Sequence, residues 1–168
     1  EVPRPSSQYI TAYKFGMRVG LGDCVFNLPW FLAPEVQANR RLAMPAITDA
    51  DRMWISEIDI ADVMAAILTS PVFDHVGREH VLTAANRFDY PAIARLLSTE
   101  LGEEVGFIDD DAPLRDAMGD SFDMLMTYFE HETQAYGEVQ HRETVAELLG
   151  RPQETVQDYI KTNRELFA

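Results

Sequence analysis

RMWISEIDIADVMAAIL, from Arg52 to Leu68, changes its hydrophobic period partway along. Met53, Trp54, Ile55 and Ile58 have the aromatic and β-branched character of a strand. Asp59 then reads as a helix N-cap, because a short carboxylate accepts from the unpaired amides of a first turn, and Asp62 lies three residues on in the positive end of the helix. Ile60, Val63, Met64, Ile67 and Leu68 follow at the spacing of one buried helix face. A strand running into a helix at an acidic corner makes this the centre of an α/β fold, and the other elements are read as layers around it.

Outward from that corner the helical and extended patterns alternate. Upstream, Glu1 to Ser7 is an extended entry, Tyr9 to Val19 reads as a helix ended by Gly20 or Gly22, and Cys24 to Leu28 reads as a buried strand stopped by Pro29. Trp30, Phe31 and Leu32 come straight after. Ala33 to Ala50, with prolines at 34 and 45, reads as a loop holding one helical turn near Val36 to Arg41. Downstream, Pro71 stops the central helix and His80 to Thr83 forms a short strand. Asp89 caps a helix whose inward stripe is Ile93, Leu96, Leu97 and Leu101, and Gly102 closes it. Val105 to Ile108 is a strand before the acidic turn Asp109 to Asp111. From Pro113 the chain reads as helix: Leu114 to Met118, a longer one through Phe122, Leu125, Met126, Phe129 and Tyr136, a third ending at Gly150, and a last one capped by Thr155 with Val156, Tyr159 and Ile160 inward.

The whole 168 residues read as one domain, with 1–85 mostly sheet and flanking helices and 86–168 mostly helical. The 28 acids against 14 basic residues leave a net charge of −14, which repels phosphate backbones and anionic lipid heads. Nucleic acid and membrane surfaces are therefore excluded as expected partners. Cys24 is the only cysteine, so no internal disulfide forms, and no apolar run reaches the roughly 18 residues of a membrane span. A cytoplasmic location is expected. The chain starts at Glu1 rather than at a methionine, as a fragment, a processed product or a trimmed chain does.

Five segments then resemble, in order, the NmrA-like group of atypical short-chain dehydrogenases. They are Asn27-Leu28-Pro29 with the aromatics after it; Ile58 to Val63; Val81-Leu82-Thr83 leading to Tyr90-Pro91-Ala92-Ile93-Ala94; Leu101 to Val105; and Leu149-Gly150-Arg151-Pro152 before a final amphipathic helix. The resemblance covers only the family's second half. It implies a partial Rossmann-type sheet with a helical C-terminal substrate-binding lobe. The family's first half carries the glycine turn that holds a dinucleotide pyrophosphate, and Gly16, Gly20 and Gly22 do not reproduce its GxGxxG order. No cofactor is expected on this chain alone, and NAD(P) only where a complementary N-terminal half is present. An open sheet edge beside Cys24 to Leu28 implies a covering partner: a first-half chain, a second copy making a homodimer, or a rebuilt N-terminal segment.

The resemblance implies the substrate-binding portion of an oxidoreductase acting on a small, largely apolar molecule. Trp30, Phe31, Tyr128, Phe129 and Tyr136 are the expected lining, apolar with hydroxyls for orientation. A cofactor-free isomerase, cyclase or dehydratase on the same scaffold is the alternative, with Tyr13, Lys14 and His131 as acid–base candidates; a non-catalytic ligand-binding protein is the third reading. Tyr9, Tyr13 and Lys14 lack the Tyr-xxx-Lys spacing, and a solvated helix explains them. His131 falls off the Phe122 to Phe129 stripe, where a solvated histidine is the simpler account. His75 and His80 flank a turn and read as surface, capping accounts for Asp59 and Asp62, and no histidine spacing fits a zinc helix. No metal is expected.

Overall fold

The computed structural model describes residues 9–12, 17–20, 23–24, 27–45, 52–84, 86–136 and 143–168. Side chains before Leu32, and those of Val72, Glu79, Tyr128 and residues 131–136, lie outside that description. In chain order the first elements are β1 (Tyr9–Ala12), β2 (Met17–Gly20), β3 (Asp23–Cys24), α1 (Asn27–Asn39), β4 (Arg41–Met44) and β5 (Arg52–Ile55). Next come α2 (Glu57–Thr69), α3 (Val72–His75), β6 (Glu79–Val81), β7 (Arg87–Phe88), α4 (Tyr90–Leu101) and β8 (Gly106–Asp109). The helical end holds α5 (Ala112–Met118), α6 (Phe122–Tyr136), α7 (Thr144–Leu149) and α8 (Val156–Thr162). Strands and helices are interspersed up to α5 and, among the described residues, only helices follow, so the fold class is α/β with a helical C-terminal part. The residues gather into two compact units.

The first unit takes Glu1–Val25, Met53–Asn86 and Gln140–Thr155. Its core is the central corner itself. Ile55 at the end of β5 and Ile60, Val63 and Ile67 of α2 are buried with Leu82 and with Val145 of α7, and Met64, Leu148 and Leu149 pack on the rim. β3 runs parallel to β5, with Cys24 opposite Ile55, and among the described residues β3 has that one strand neighbour. Where a helix was expected over Tyr9 to Val19, β1 and β2 form an antiparallel pair, Tyr9 opposite Gly20 and Ala12 opposite Met17. Tyr9, Ile10, Thr11 and Val19 are strand formers, and the parallel partner offered by β6 to β2 settles the conformation.

The second unit takes Phe26–Arg52, Arg87–Val139 and Val156–Ala168. Here β4 and β8 pair in parallel, Arg41 opposite Gly106 and Met44 opposite Asp109. Helices α1, α4 and α5 pack against this pair and α8 packs on α4. Val36, Leu42, Ile93, Leu97 and Ile160 are closed off from solvent, and so is Phe167 near the chain end. The C-terminal turn is tied down by Gln37 Nε2 donating to the Leu166 carbonyl, Arg40 to the Phe167 carbonyl and Arg164 to the Leu101 carbonyl.

Two expectations for residues 24–50 are corrected. Of the strand expected over Cys24 to Leu28, β3 takes in Cys24, Val25 and Phe26 lie outside the described residues, and Asn27 already opens a thirteen-residue helix. Pro29 sits in that helix's first turn, where a missing amide removes no intrahelical bond, so it helps start the helix instead of ending a strand. The loop expected over Ala33 to Ala50 is replaced by the rest of α1, with Pro34 inside it, and by β4. Burial of Leu32, Ala33 and Val36 outweighs the local cost of that proline.

Candidate functional site

Trp30 and Phe31 stand on α1, and Tyr128, Phe129 and Tyr136 on α6, both helices of the second unit. Of the five, Phe129 is the residue whose side chain is described. It is buried, and the Arg52 guanidinium lies 5.4 Å from its ring centroid and 5.8 Å from that of Tyr90. Arg52 is only 6 % exposed. A guanidinium this far from water is stabilised by the negative faces of the two rings. A guanidinium offers N–H donors and no acceptor, so its chemistry is that of a cation and hydrogen-bond donor. The sequence signal for it was weak, since an arginine ahead of a strand reads as solvated. Tyr13 and Lys14 lie outside the described residues. His131 is on α6, and its side chain is outside the description.

A second cluster, in the first unit, revises the reading of Asp59 and Asp62. The N-cap of α2 is Ser56, whose Oγ accepts from the Ile58 amide at 3.1 Å. Asp59 sits in the first turn behind that cap, 1 % exposed, and its carboxylate accepts from Arg151 Nη1 at 2.7 Å and from the Glu154 amide at 2.8 Å. Arg151 Nη2 reaches Asp62 at 2.6 Å, and Ser56 Oγ donates to Glu154. Hydrogen bonds to Asp62 and then to Asp59 hold the Arg151 guanidinium proton above its ordinary range. Asp59 and Asp62, three apart, share a helix face, and the segment behind Gly150 folds back over it. This is a clamp between α2 and the chain after α7. A third cluster is a histidine pair: His75, expected at the surface, is buried, and its Nδ1 lies 3.1 Å from His80 Nε2. Among the described residues no group of three or more metal-ligating side chains comes together, and no helix is long and apolar enough to cross a membrane.

Four described helices start within two residues of a strand; α1, behind β3, has no acid in its first turn, and the N-termini of the other three bear on whether a dinucleotide pyrophosphate fits there. α2 has its first-turn amide taken by Ser56 and carries Glu57 and Asp59 in that turn. α4 is capped by Asp89, which accepts from the Ala92 amide at 2.6 Å. α5 begins behind Asp110 and Asp111, with Asp110 accepting from the Ala112 amide at 3.0 Å. Each N-terminus already holds a carboxylate where a phosphate would sit, so these three donor sets do not fit the group.

No protein-family model matches the chain, and no curated protein matches its sequence. Solved structures do share its shape. A nucleoside-diphosphate-sugar epimerase from Staphylococcus aureus superposes with a TM-score of 0.71 at 21% identity, over 86% of this chain and 51% of that one. An NADPH-dependent quinone oxidoreductase from Escherichia coli gives 0.70 at 17% identity, over 85% and 53%. A Citrobacter triphenylmethane reductase, solved with NADP(H), gives 0.62 at 11%, over 79% and 48%. The chain spans about half the length of these proteins, and over that half it has their Rossmann-type α/β fold.

Proposed function

We propose that the chain is the substrate-binding portion of an NmrA-like NAD(P)-dependent oxidoreductase, acting on a small, largely apolar molecule, with the dinucleotide held by residues outside these 168. The carrying observation is the superposition on half of the Escherichia coli quinone oxidoreductase and of the Citrobacter reductase. Carboxylates at the starts of α2, α4 and α5 favour a nucleotide site built elsewhere than on these three helices. The five sequence segments that resemble the NmrA-like group support the finer family reading.

In this reading the aromatic residues of α1 and α6 contribute apolar area to the substrate, and the ring of Phe129 is backed by the Arg52 cation. The β3 edge, with one strand neighbour among the described residues, takes the next strand of the sheet from the complementary half or from a second copy. The test is ligand-observed NMR of the chain with 1,4-naphthoquinone and a triarylmethane dye as probes, without nucleotide. Saturable binding of either, weakened when Trp30 or Phe31 is replaced by alanine, is the expected result. Failure of both probes to bind contradicts the reading. Turnover of a probe without nucleotide contradicts it too, and favours the cofactor-free enzyme.

A further inference from the structure

His75 and His80 stand on either side of a turn that brings their rings together edge to face. α3 ends at His75, and Gly77 takes the left-handed conformation at φ 72°. The Arg78 amide closes the turn on the His75 carbonyl at 3.1 Å, and β6 then fixes His80 opposite Val19 of β2. His75 Nδ1 and His80 Nε2 end 3.1 Å apart with the ring planes at 62°. Two imidazoles binding one metal at about 2.0–2.1 Å have their nitrogens roughly 2.9 Å apart at a right angle and roughly 3.4 Å apart at the tetrahedral angle. The observed spacing falls between these limits.

We propose that His75 and His80 form a two-imidazole site for a borderline divalent transition metal such as Zn²⁺, Ni²⁺ or Cu²⁺, with water completing the coordination. Imidazole is a ligand these ions favour. Both donors are carried on paired or closed backbone, so binding does not have to order a loop. The net charge of −14 raises the local concentration of cations. In the metal-free pair one facing nitrogen carries the shared proton. On binding, that ring shifts its proton through solvent to its far nitrogen, leaving His75 protonated at Nε2 and His80 at Nδ1.

The test uses the untagged full chain titrated with ZnCl₂, followed by long-range ¹H–¹⁵N correlation of the imidazoles and by calorimetry. The expected result is a coordination shift of His75 Nδ1 and His80 Nε2 that saturates at one equivalent. His75→Gln and His80→Gln should each weaken binding at least tenfold, while His141→Gln leaves it unchanged. Unmoved imidazole signals in the wild-type chain overturn the proposal whether or not the variants fold. So do variants that bind zinc as the wild type does.

Discussion

At the scale of single residues, the Asp59–Arg151 pair is the interaction on which the central corner depends most. Asp59 has left water almost completely, while the Arg151 side chain stays 39% exposed. Removing the arginine therefore leaves a buried carboxylate to the Glu154 amide, whereas removing Asp62, half in solvent, strands nothing. Arg151→Ala is expected to destabilise the chain by about 2–3 kcal/mol, and Asp62→Ala by less than about 1 kcal/mol, in urea unfolding. Equal costs for the two would show that Asp59 does not need its partner. His80 gives a pH prediction for the chain kept metal-free with a chelator. Its folded-state pKa lies below the unfolded value of about 6.5, so above that pH both states are neutral and the group contributes no pH dependence. As the pH falls below that value the unfolded state takes up the proton first. The melting temperature should drop more steeply from there downward in the wild type than in His80→Gln.

At the scale of elements, helices with local stop signals were legible from sequence and the N-terminal third was not. α4 was readable because Asp89 caps it through the Ala92 amide and Gly102, at φ 76°, ends it; both signals lie within a turn of what they control. Gly150 ends α7 in the same way at φ 65°. Gly150→Ala should cost about 1 kcal/mol through the left-handed backbone, and Asp89→Ala about 1 kcal/mol through the lost cap, each read from thermal unfolding. By contrast, β1 and β2 were misread because their conformation depends on β6, some sixty residues away in sequence. α1 was misread because Pro29 and Pro34 look like breakers until Leu32 and Val36 are seen to be buried. The Asp59–Arg151 clamp was invisible for the same reason: its partners are 92 positions apart, and Asp59 taken alone fits a cap.

At the scale of the whole molecule, the alternation of strands and helices and the helical end were foreseeable from periodicity, and the α/β fold follows from both. The lining residues were less accessible to that reasoning. An aromatic on a helix serves a core or a cavity equally well, and the Arg52 cation beside the Phe129 ring was announced by no local pattern. Composition carried more weight. Acids set at the starts of α2, α4 and α5 turn the general acidity of the chain into a specific obstacle to phosphate at those three helices. The central claim is that these 168 residues contribute substrate contacts while the nucleotide is held elsewhere, and NADPH fluorescence titration of the isolated chain tests it most directly. The account predicts no saturable enhancement up to about 1 mM NADPH, corresponding to less than about 4 kcal/mol of binding free energy. Micromolar, stoichiometric binding of NADPH by the chain alone would contradict it.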